Sequence, residues 1–236
     1  MDRLSNSFSA LLLEAEDETL EPSASSAAKV KQEGAKTGKK EKRGNSSSDM
    51  VEHKLPLVWI DLEMTGLNVE VDRILEIACI ITDGNLTKSV EGPDLVIHQT
   101  KECLDHMGEW CQNHHASSGL TNKVLQSTIS EQEAEKQVIE FVKRNIGTYM
   151  PLLAGNSVYV DFHFLKKYMP DLASLFSHVL VDVSSIRALC IRWYPRDHKK
   201  TPSKEQKHRA MDDIRESITE LKYYKENIFK SSKSKN

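Results

Sequence analysis

An apolar run that ends in two carboxylates is the feature that most constrains this chain. Residues 57–60 (Leu-Val-Trp-Ile) predict a strand, and Asp61-Leu62-Glu63 follows directly. Because side chains at positions i and i+2 of a strand point to the same face, Asp61 and Glu63 should lie side by side. Burying two like charges is costly, and a divalent cation is the usual remedy. Alone, the pair is more typical of exposed acids where a strand runs into a loop, so a metal site needs further ligands.

The sequence predicts one folded domain between two tails. Residues 1–53 contain no Trp or Tyr and are rich in Ser, Lys and Gly towards their end. Such a composition cannot bury enough apolar surface to offset chain entropy, so we predict a disordered N-terminal tail. Residues 54–230 are long enough for one domain with a substantial core, and residues 231–236 form a short, disordered basic tail.

Composition argues against several classes of protein. The formal net charge of −3 argues against a basic protein that coats nucleic acid. It does not argue against a phosphate-bearing substrate, because the carboxylates of a metal site themselves contribute negative charge. The four cysteines lack Cys-x-x-Cys spacing, which predicts neither a thiolate zinc site nor a disulfide framework and favours a reducing compartment. Apolar stretches are too short for a membrane span, and acids follow Leu11–Leu13 at once, unlike a secretory signal. We expect an intracellular protein, cytoplasmic in preference to mitochondrial.

The order of apolar segments predicts an α/β fold. Strands are expected at 57–62, 73–82, 95–98, 151–156 and 179–183, and helices at 129–145, 159–168, 184–193 and 208–228. A tight turn at 83–85 predicts that the second and third strands form a hairpin. Ser130 and Glu133 make a capping box at the start of the first of these helices. This alternation predicts a mixed five-stranded sheet flanked by helices.

Further acids lie at the starts of predicted helices. Asp161 follows the loop 155–157 and, taken alone, is typical of an acid that complements a helix dipole. His208 and Asp212 are four positions apart, so on a continuous helix they would share a face. Asp213 is one position further along the helix, where an exposed residue of the first turn is expected. As a set, the acids suit two-metal phosphoryl transfer with His208 as general base; they are Asp61, Glu63, Asp161 and Asp212.

Three segments resemble the exonuclease motifs of oligoribonuclease, a 3′-to-5′ exoribonuclease family of the DEDDh superfamily with a ribonuclease-H-like fold. The segments are 59–67, 155–157 and 208–214, and the similarity extends over about residues 55–229. The resemblance implies hydrolysis of very short oligoribonucleotides, especially dinucleotides, to mononucleotides by a homodimer. It implies two divalent ions, Mg²⁺ or Mn²⁺, one held by Asp61, Glu63 and Asp212 and the second sharing Asp61. Asp161 would complete the acidic site, and His208 would deprotonate the attacking water.

The resemblance also implies a set of residues that bind the RNA. Leu67 corresponds to an apolar wedge between two bases, Trp110 to an aromatic residue that stacks on a base, and His115 to a further substrate contact. Stacking is tolerant of sequence, as clearance of mixed dinucleotides requires. The alternative for Trp110 is a core residue at the start of a helix. The loop residue Asn156 completes the set together with Ser157 and Ser184, whose hydroxyls would bind the 5′ phosphate and so cap the substrate.

One departure from the family pattern concerns the grip on the 5′ phosphate. The family usually has Tyr-Arg where this chain has His178-Val179. Valine cannot replace the bidentate hydrogen bonds of arginine, although Arg187 or Lys199 could supply a charge nearby. A DEDDh exonuclease acting on longer RNA or on DNA ends is therefore one alternative. A nucleic-acid-binding module without catalysis is the second, but it predicts a substituted acid, and all four predicted acids and His208 are present.

Overall fold

The computed structural model describes residues 53–203 and 209–229. His208 and the two predicted tails lie outside the described residues, apart from His53 at the end of the N-terminal one. His53 is buried, and its Nδ1 lies 3.4 Å from the carbonyl oxygen of Asn145. His53 therefore packs as part of the described domain.

Strands and helices alternate along the described chain. The strands are β1 Leu57–Met64, β2 Ile74–Thr82, β3 Ser89–Val96, β4 Leu152–Gly155 and β5 Leu180–Asp182. The longer helices are α2 Glu109–Ser117, α3 Leu120–Gln126, α4 Glu131–Asn145, α5 Tyr159–Tyr168, α7 Val183–Trp193 and α9 Ala210–Asn227. The short helices are α1 Lys101–Asp105, α6 Pro170–Ala173 and α8 Pro195–His198. None of the helices in the described part of the chain is long and apolar enough to cross a membrane.

The five strands form one mixed sheet in the order β3-β2-β1-β4-β5. β1, β2 and β3 pair antiparallel, whereas β4 is parallel to both β1 and β5. The predicted mixed five-stranded sheet and its hairpin are therefore confirmed. β3 covers 89–96, whereas the sequence predicted a third strand that ends at His98. The start of β3 was not predicted, because this edge strand is half exposed and contains Gly92 and Pro93.

Each face of the sheet carries its own apolar core. Val58 and Ile60 of β1 pack in a core with α4 and α5, whereas Leu57 and Trp59 pack in a second core with α7 and α9. This is the two-residue alternation of a strand buried on both faces. Continuing the register, the side chains of residues 61 and 63 are directed to the face that α9 covers. The sheet thus presents the carboxylates of β1 to that helix.

Helix boundaries agree with the sequence where a cap marks them. The predicted helix 159–168 matches α5 at both ends. Ser130 accepts a hydrogen bond from the backbone N–H of Glu133, which confirms the predicted start of α4. The last helix differs, because Arg209 is extended (φ −130°, ψ 127°) and α9 begins only at Ala210. This two-residue shift decides which acid faces the sheet.

Candidate functional site

Three carboxylates converge where β1 meets the start of α9. Oxygens of Asp61, Glu63 and Asp213 all lie within 4.8 Å of one another. Burial raises the pKa of Asp61 well above its usual range, and the charges of Asp161 and Asp213 raise it further. The pKa of Glu63 is raised for the same reason, first by burial and then by the charge of Asp213. Mutual repulsion of this kind is what a bound cation relieves.

The acid that α9 contributes to this cluster is Asp213, not the predicted Asp212. Asp213 follows the buried Ala210 by three positions and precedes the buried Ser217 by four, so it shares their sheet-facing side. Asp212 lies on the outer flank, where its carboxylate accepts a 2.8 Å hydrogen bond from Arg215. The prediction of Asp212 treated residues from 208 onwards as one helix, and the extended backbone at Arg209 removes that premise.

Asp161 lies next to this cluster, on α5. Its side chain is buried, and its Oδ1 accepts a 2.9 Å hydrogen bond from the backbone N–H of Leu62, between Asp61 and Glu63. Burial raises the pKa of Asp161 to about 8, against the hydrogen bond from Leu62, which lowers it. Among the described residues Asp161 is outside the group of three, but its charge acts on Asp61. It therefore ties α5 to the acid-bearing end of β1.

The donor set fits a divalent cation that prefers oxygen. Three carboxylate oxygens from two elements meet at one place, which suits Mg²⁺ or Mn²⁺ in preference to thiophilic metals. Asp61, Glu63 and Asp213 are the residues that would hold it. When bound, such an ion supplies a polarised water and stabilises charge on a phosphoryl oxygen. All four cysteines are free, and none belongs to the group.

Helix α2 lies against the acid-bearing end of β1. The buried His115 has its Nε2 2.9 Å from the carbonyl oxygen of Met64 and its Nδ1 3.9 Å from Oε2 of Glu63. His115 was expected to contact substrate; in this structure its buried ring bonds the backbone of β1 at Met64 and approaches the carboxylate of Glu63. Helix α2 is thereby held against the end of β1 that carries the acids.

Trp110 on α2 is exposed in part. Its side chain is 40% exposed, so the alternative of a core tryptophan is wrong. The indole stacks on the imidazole of His114, with ring centroids 4.4 Å apart and planes 12° from parallel. His114 was missed from the sequence, although its i+4 spacing from Trp110 is the signal that would have found it. The pair offers a flat aromatic surface of the kind on which bases stack.

The loop that carries Leu67 is held by one aspartate. Leu67 is half-buried in the turn after β1. Oδ1 of Asp72 accepts a hydrogen bond from Oγ1 of Thr65 (2.9 Å), and Oδ2 accepts one from the backbone N–H of Asn68 (2.8 Å). A Cβ on Gly66 would lie 2.5 Å from this carboxylate, which explains the glycine. The loop therefore places Leu67 in a defined position.

The predicted phosphate-binding hydroxyls meet at the carboxyl ends of β4 and β5. The Oγ atoms of Ser157 and Ser184 lie 2.9 Å apart, and Ser184 donates to Oδ1 of Asn156 at 2.9 Å. Oδ1 of Asp182 accepts the backbone N–H groups of both serines, at 3.0 and 2.9 Å. Ser157 has a left-handed backbone (φ 52°), a conformation uncommon for a residue with a side chain. All three predicted residues are thus brought together.

The nearest guanidinium to these hydroxyls is already engaged. Nη2 of Arg187 lies 3.3 Å from Oδ1 of Asn156, but Nε and Nη2 also bond the buried carboxylate of Glu220 at 2.7 and 2.6 Å. Val179, at the position where the family has arginine, is exposed. Arg187 therefore supports Asn156 from behind and does not reproduce a free bidentate grip.

Known proteins are similar to this chain over most of its length. Residues 58–221 match the model of the RNase T family, whose members are described as exonucleases. An oligoribonuclease of Arabidopsis thaliana is 64% identical over 231 residues, which cover 98% of this chain and 99% of that protein. The chain belongs to the oligoribonuclease family. It is accordingly a 3′-to-5′ exoribonuclease.

The family extends to animals and bacteria. The mitochondrial oligoribonuclease of Homo sapiens is 49% identical over 174 residues, covering 74% of this chain and 73% of that protein. An oligoribonuclease of Marinobacter nauticus is 48% identical, with 74% and 96% covered. Among solved structures, E. coli exonuclease I in complex with an oligonucleotide superimposes with a TM-score of 0.52 at 15% identity. That match covers 75% of this chain and 42% of exonuclease I, and it confirms the ribonuclease-H-like exonuclease fold.

Proposed function

We propose that this protein hydrolyses very short oligoribonucleotides, dinucleotides above all, to mononucleotides. The observation that carries the proposal is the position of α2: its His115 bonds β1 beside Glu63, and its Trp110 and His114 form an aromatic surface. A base stacked on Trp110 would lie against the helix that contacts the acid-bearing end of β1. The names of the relatives, oligoribonucleases from plant, animal and bacterium, support the same substrate class.

The proposed chemistry needs two divalent ions and a general base. Asp61, Glu63 and Asp213 would hold one ion, with Asp61 shared and Asp161 completing the site. Two such ions together activate a water and stabilise the leaving oxygen. His208, one residue before the extended Arg209, is proposed to accept the proton of the attacking water, because an imidazole titrates near neutral pH. Mg²⁺ and Mn²⁺ both suit this set of oxygen ligands.

Leu67, Trp110 and the serine pair would define the length of the substrate. Leu67 would separate two bases, Trp110 would stack on one of them, and Ser157 and Ser184 would cap the 5′ phosphate. Their Oγ atoms lie 2.9 Å apart, so an incoming phosphate would accept from both once the hydroxyl hydrogens turn towards it from their present acceptors, Ser184 and Asn156. A longer RNA would have to continue past this cap, which favours short substrates.

A homodimer is also proposed. Several large apolar side chains are exposed on and beside α7, and such patches usually mark contacts between proteins. They are Val179, Leu189, Ile191, Trp193 and Tyr194. Sedimentation equilibrium across a range of protein concentrations would test this: a mass of twice the chain is expected, and a monomer at all concentrations would contradict it.

The compartment stays a prediction, although some relatives are named mitochondrial.

A preference for longer RNA or for DNA ends is the second candidate. It is favoured by one observation, the exposed Val179 at the position where the family has arginine. Turnover should be compared on RNAs of two to seven nucleotides, on a 20-nucleotide RNA and on a DNA dinucleotide, with Mg²⁺ present. The highest kcat/KM is expected on the RNA dinucleotide. A higher value on the long RNA or on DNA would favour the second candidate, and no release of mononucleotides from any substrate would contradict both.

A further inference from the structure

A buried carboxylate that the proposed chemistry does not use lies beside the acid cluster. Glu76 is on β2, and its Cα is the register partner of Glu63 on β1. The side chain is fully buried on the same face as Ala78 and Ile80, which pack in the core with α9. An ionised carboxylate in such a place is costly unless it is paired and hydrogen-bonded. Its partners therefore indicate what it does.

The partners of Glu76 are the residues at which α9 begins. The guanidinium of Arg209 donates from Nε to both carboxylate oxygens, at 3.1 and 3.2 Å, and from Nη2 to Oε1 at 2.5 Å. The backbone N–H of Ala210, the first residue of α9, lies 3.4 Å from Oε2. No side chain of its own caps this helix, since Arg209 occupies the cap position without such a bond. Glu76 thus meets both an N-terminal donor and the positive end of the helix dipole.

The same arginine connects directly to the acid ligand on the helix. While its guanidinium is held by Glu76, its carbonyl oxygen accepts the backbone N–H of Asp213 at 3.0 Å. Because the helix starts at a fixed residue, its rotation about its axis is fixed as well. That rotation directs Asp213 at the strand and leaves Asp212 on the outer flank, bonded to Arg215.

We propose that Glu76 and Arg209 form a positioning pair, which sets the start of α9 and so holds Asp213 in place against Asp61 and Glu63. The pair has an electrostatic side too. The guanidinium of Arg209 neutralises the buried charge of Glu76, whose Cα is paired with that of Glu63 across the two strands. Neither residue is proposed to touch the substrate. The pair prepares the ligand set before a cation arrives.

The proposal rests on the proposed metal site, so its main readout is metal affinity. Dissociation constants for Mn²⁺ and Mg²⁺ would be measured by calorimetry on the full chain without substrate, for wild type, Glu76→Gln, Arg209→Gln and Arg209→Lys. Removing groups that orient metal ligands usually weakens metal binding by about 10- to 100-fold. We expect a loss in that range for Glu76→Gln and Arg209→Gln. A smaller loss is expected for Arg209→Lys, which keeps the positive charge but not the planar guanidinium that donates from two nitrogens.

A matched control separates positioning from a general loss of stability. Thr82→Val removes a buried hydrogen bond from the same strand, the 3.0 Å bond from Nε1 of Trp59, far along β2 from Glu76. It should lower the melting temperature and leave the dissociation constant for Mn²⁺ within about twofold of wild type. In the positioning variants, kcat should fall at low metal concentration and recover at saturating metal. The KM for a dinucleotide should remain unchanged.

The outcomes are distinct. Wild-type metal affinity, within about twofold, in a folded Arg209→Gln variant would overturn the positioning pair and leave the proposed function intact. No metal binding by the wild-type protein would contradict both. Should Glu76→Gln or Arg209→Gln fail to fold, Arg209→Lys decides, because it keeps a positive charge beside the fully buried carboxylate of Glu76. Wild-type metal affinity in that variant would overturn the positioning pair.

Discussion

Glu63 on β1 and Asp213 on α9 direct their carboxylates at one another across the junction of strand and helix. The first is placed by the alternation of a buried strand, and the second by the residue at which a helix begins. The ionised form of Glu63 is unfavourable here without a cation, because burial and then the charge of Asp213 raise its pKa. The site is thus a place where the fold holds unfavourable charges together for a ligand.

The assignment of Asp213 can be tested against its neighbour. Asp213→Asn should lower kcat on an RNA dinucleotide by at least about 100-fold, since it removes a ligand and not merely a supporting group. Asp212→Asn is the matched control, because it makes the same chemical change one position away and loses only an exposed bond to Arg215. Its activity should stay within about threefold of wild type. The reverse order of effects would restore Asp212 as the ligand.

The contrast between these two aspartates shows what the sequence could and could not give. The shared orientation of Asp61 and Glu63 was readable, because residues 57–60 form a continuous buried apolar run that marks a strand, and side chains alternate along any strand. The phase of α9 was not readable, because the helix start depends on Glu76, which is remote in sequence. A pattern inside a helix predicts which residues share a face, but not where the helix begins.

The substrate-binding residues show the same division. Leu67, Ser157 and Ser184 came from the family resemblance, since a lone leucine or serine has no pattern of its own. Their convergence depends on bonds that span the chain, such as that between the two serine hydroxyls. His114 was missed although its spacing from Trp110 was visible, because a single aromatic pair at i, i+4 is also typical of ordinary helix packing.

The stability of the metal-free protein should fall as the pH rises. The folded-state pKa values of Asp61, Glu63 and Asp161 are all raised, that of Asp161 to about 8, so the folded protein keeps protons that the unfolded chain releases. This stabilisation is complete below the unfolded pKa values, near 4, and is lost as the pH rises towards about 8. Urea unfolding in EDTA at pH 5.5 and pH 8 would measure it, with a lower midpoint expected at pH 8.

Two controls follow from the same cause. Asp161→Asn should flatten this dependence, because an amide has no proton to release. Added Mg²⁺ should stabilise the protein more at pH 8 than at pH 5.5, since the metal competes with protons for the same oxygens. Equal midpoints at both pH values in the metal-free wild-type protein would mean that these carboxylates are not buried as described.

Trp110→Ala should weaken binding of a dinucleotide more than it slows chemistry. Stacking of a base on an aromatic side chain contributes about 1–3 kcal/mol, so KM should rise by roughly 5- to 150-fold while kcat changes little. Trp110→Phe should retain most of the affinity. Leu125→Ala removes another exposed apolar side chain, from α3, and serves as the control with unchanged kinetics. A KM that does not change in Trp110→Ala would exclude stacking.

The loop of Leu67 gives the last prediction. Gly66→Ala would put a Cβ 2.5 Å from the carboxylate of Asp72, which must then move and release its bonds to Thr65 and Asn68. Leu67 would lose its fixed position, so the KM for a dinucleotide should rise by about 10-fold with a smaller change in kcat. Gly108→Ala is the matched control, since a Cβ there meets nothing within 4 Å. Kinetics would be compared on a dinucleotide and on a chromogenic dinitrophenyl phosphodiester that has no base. Gly66→Ala should impair hydrolysis of the dinucleotide and leave hydrolysis of the base-free substrate unchanged.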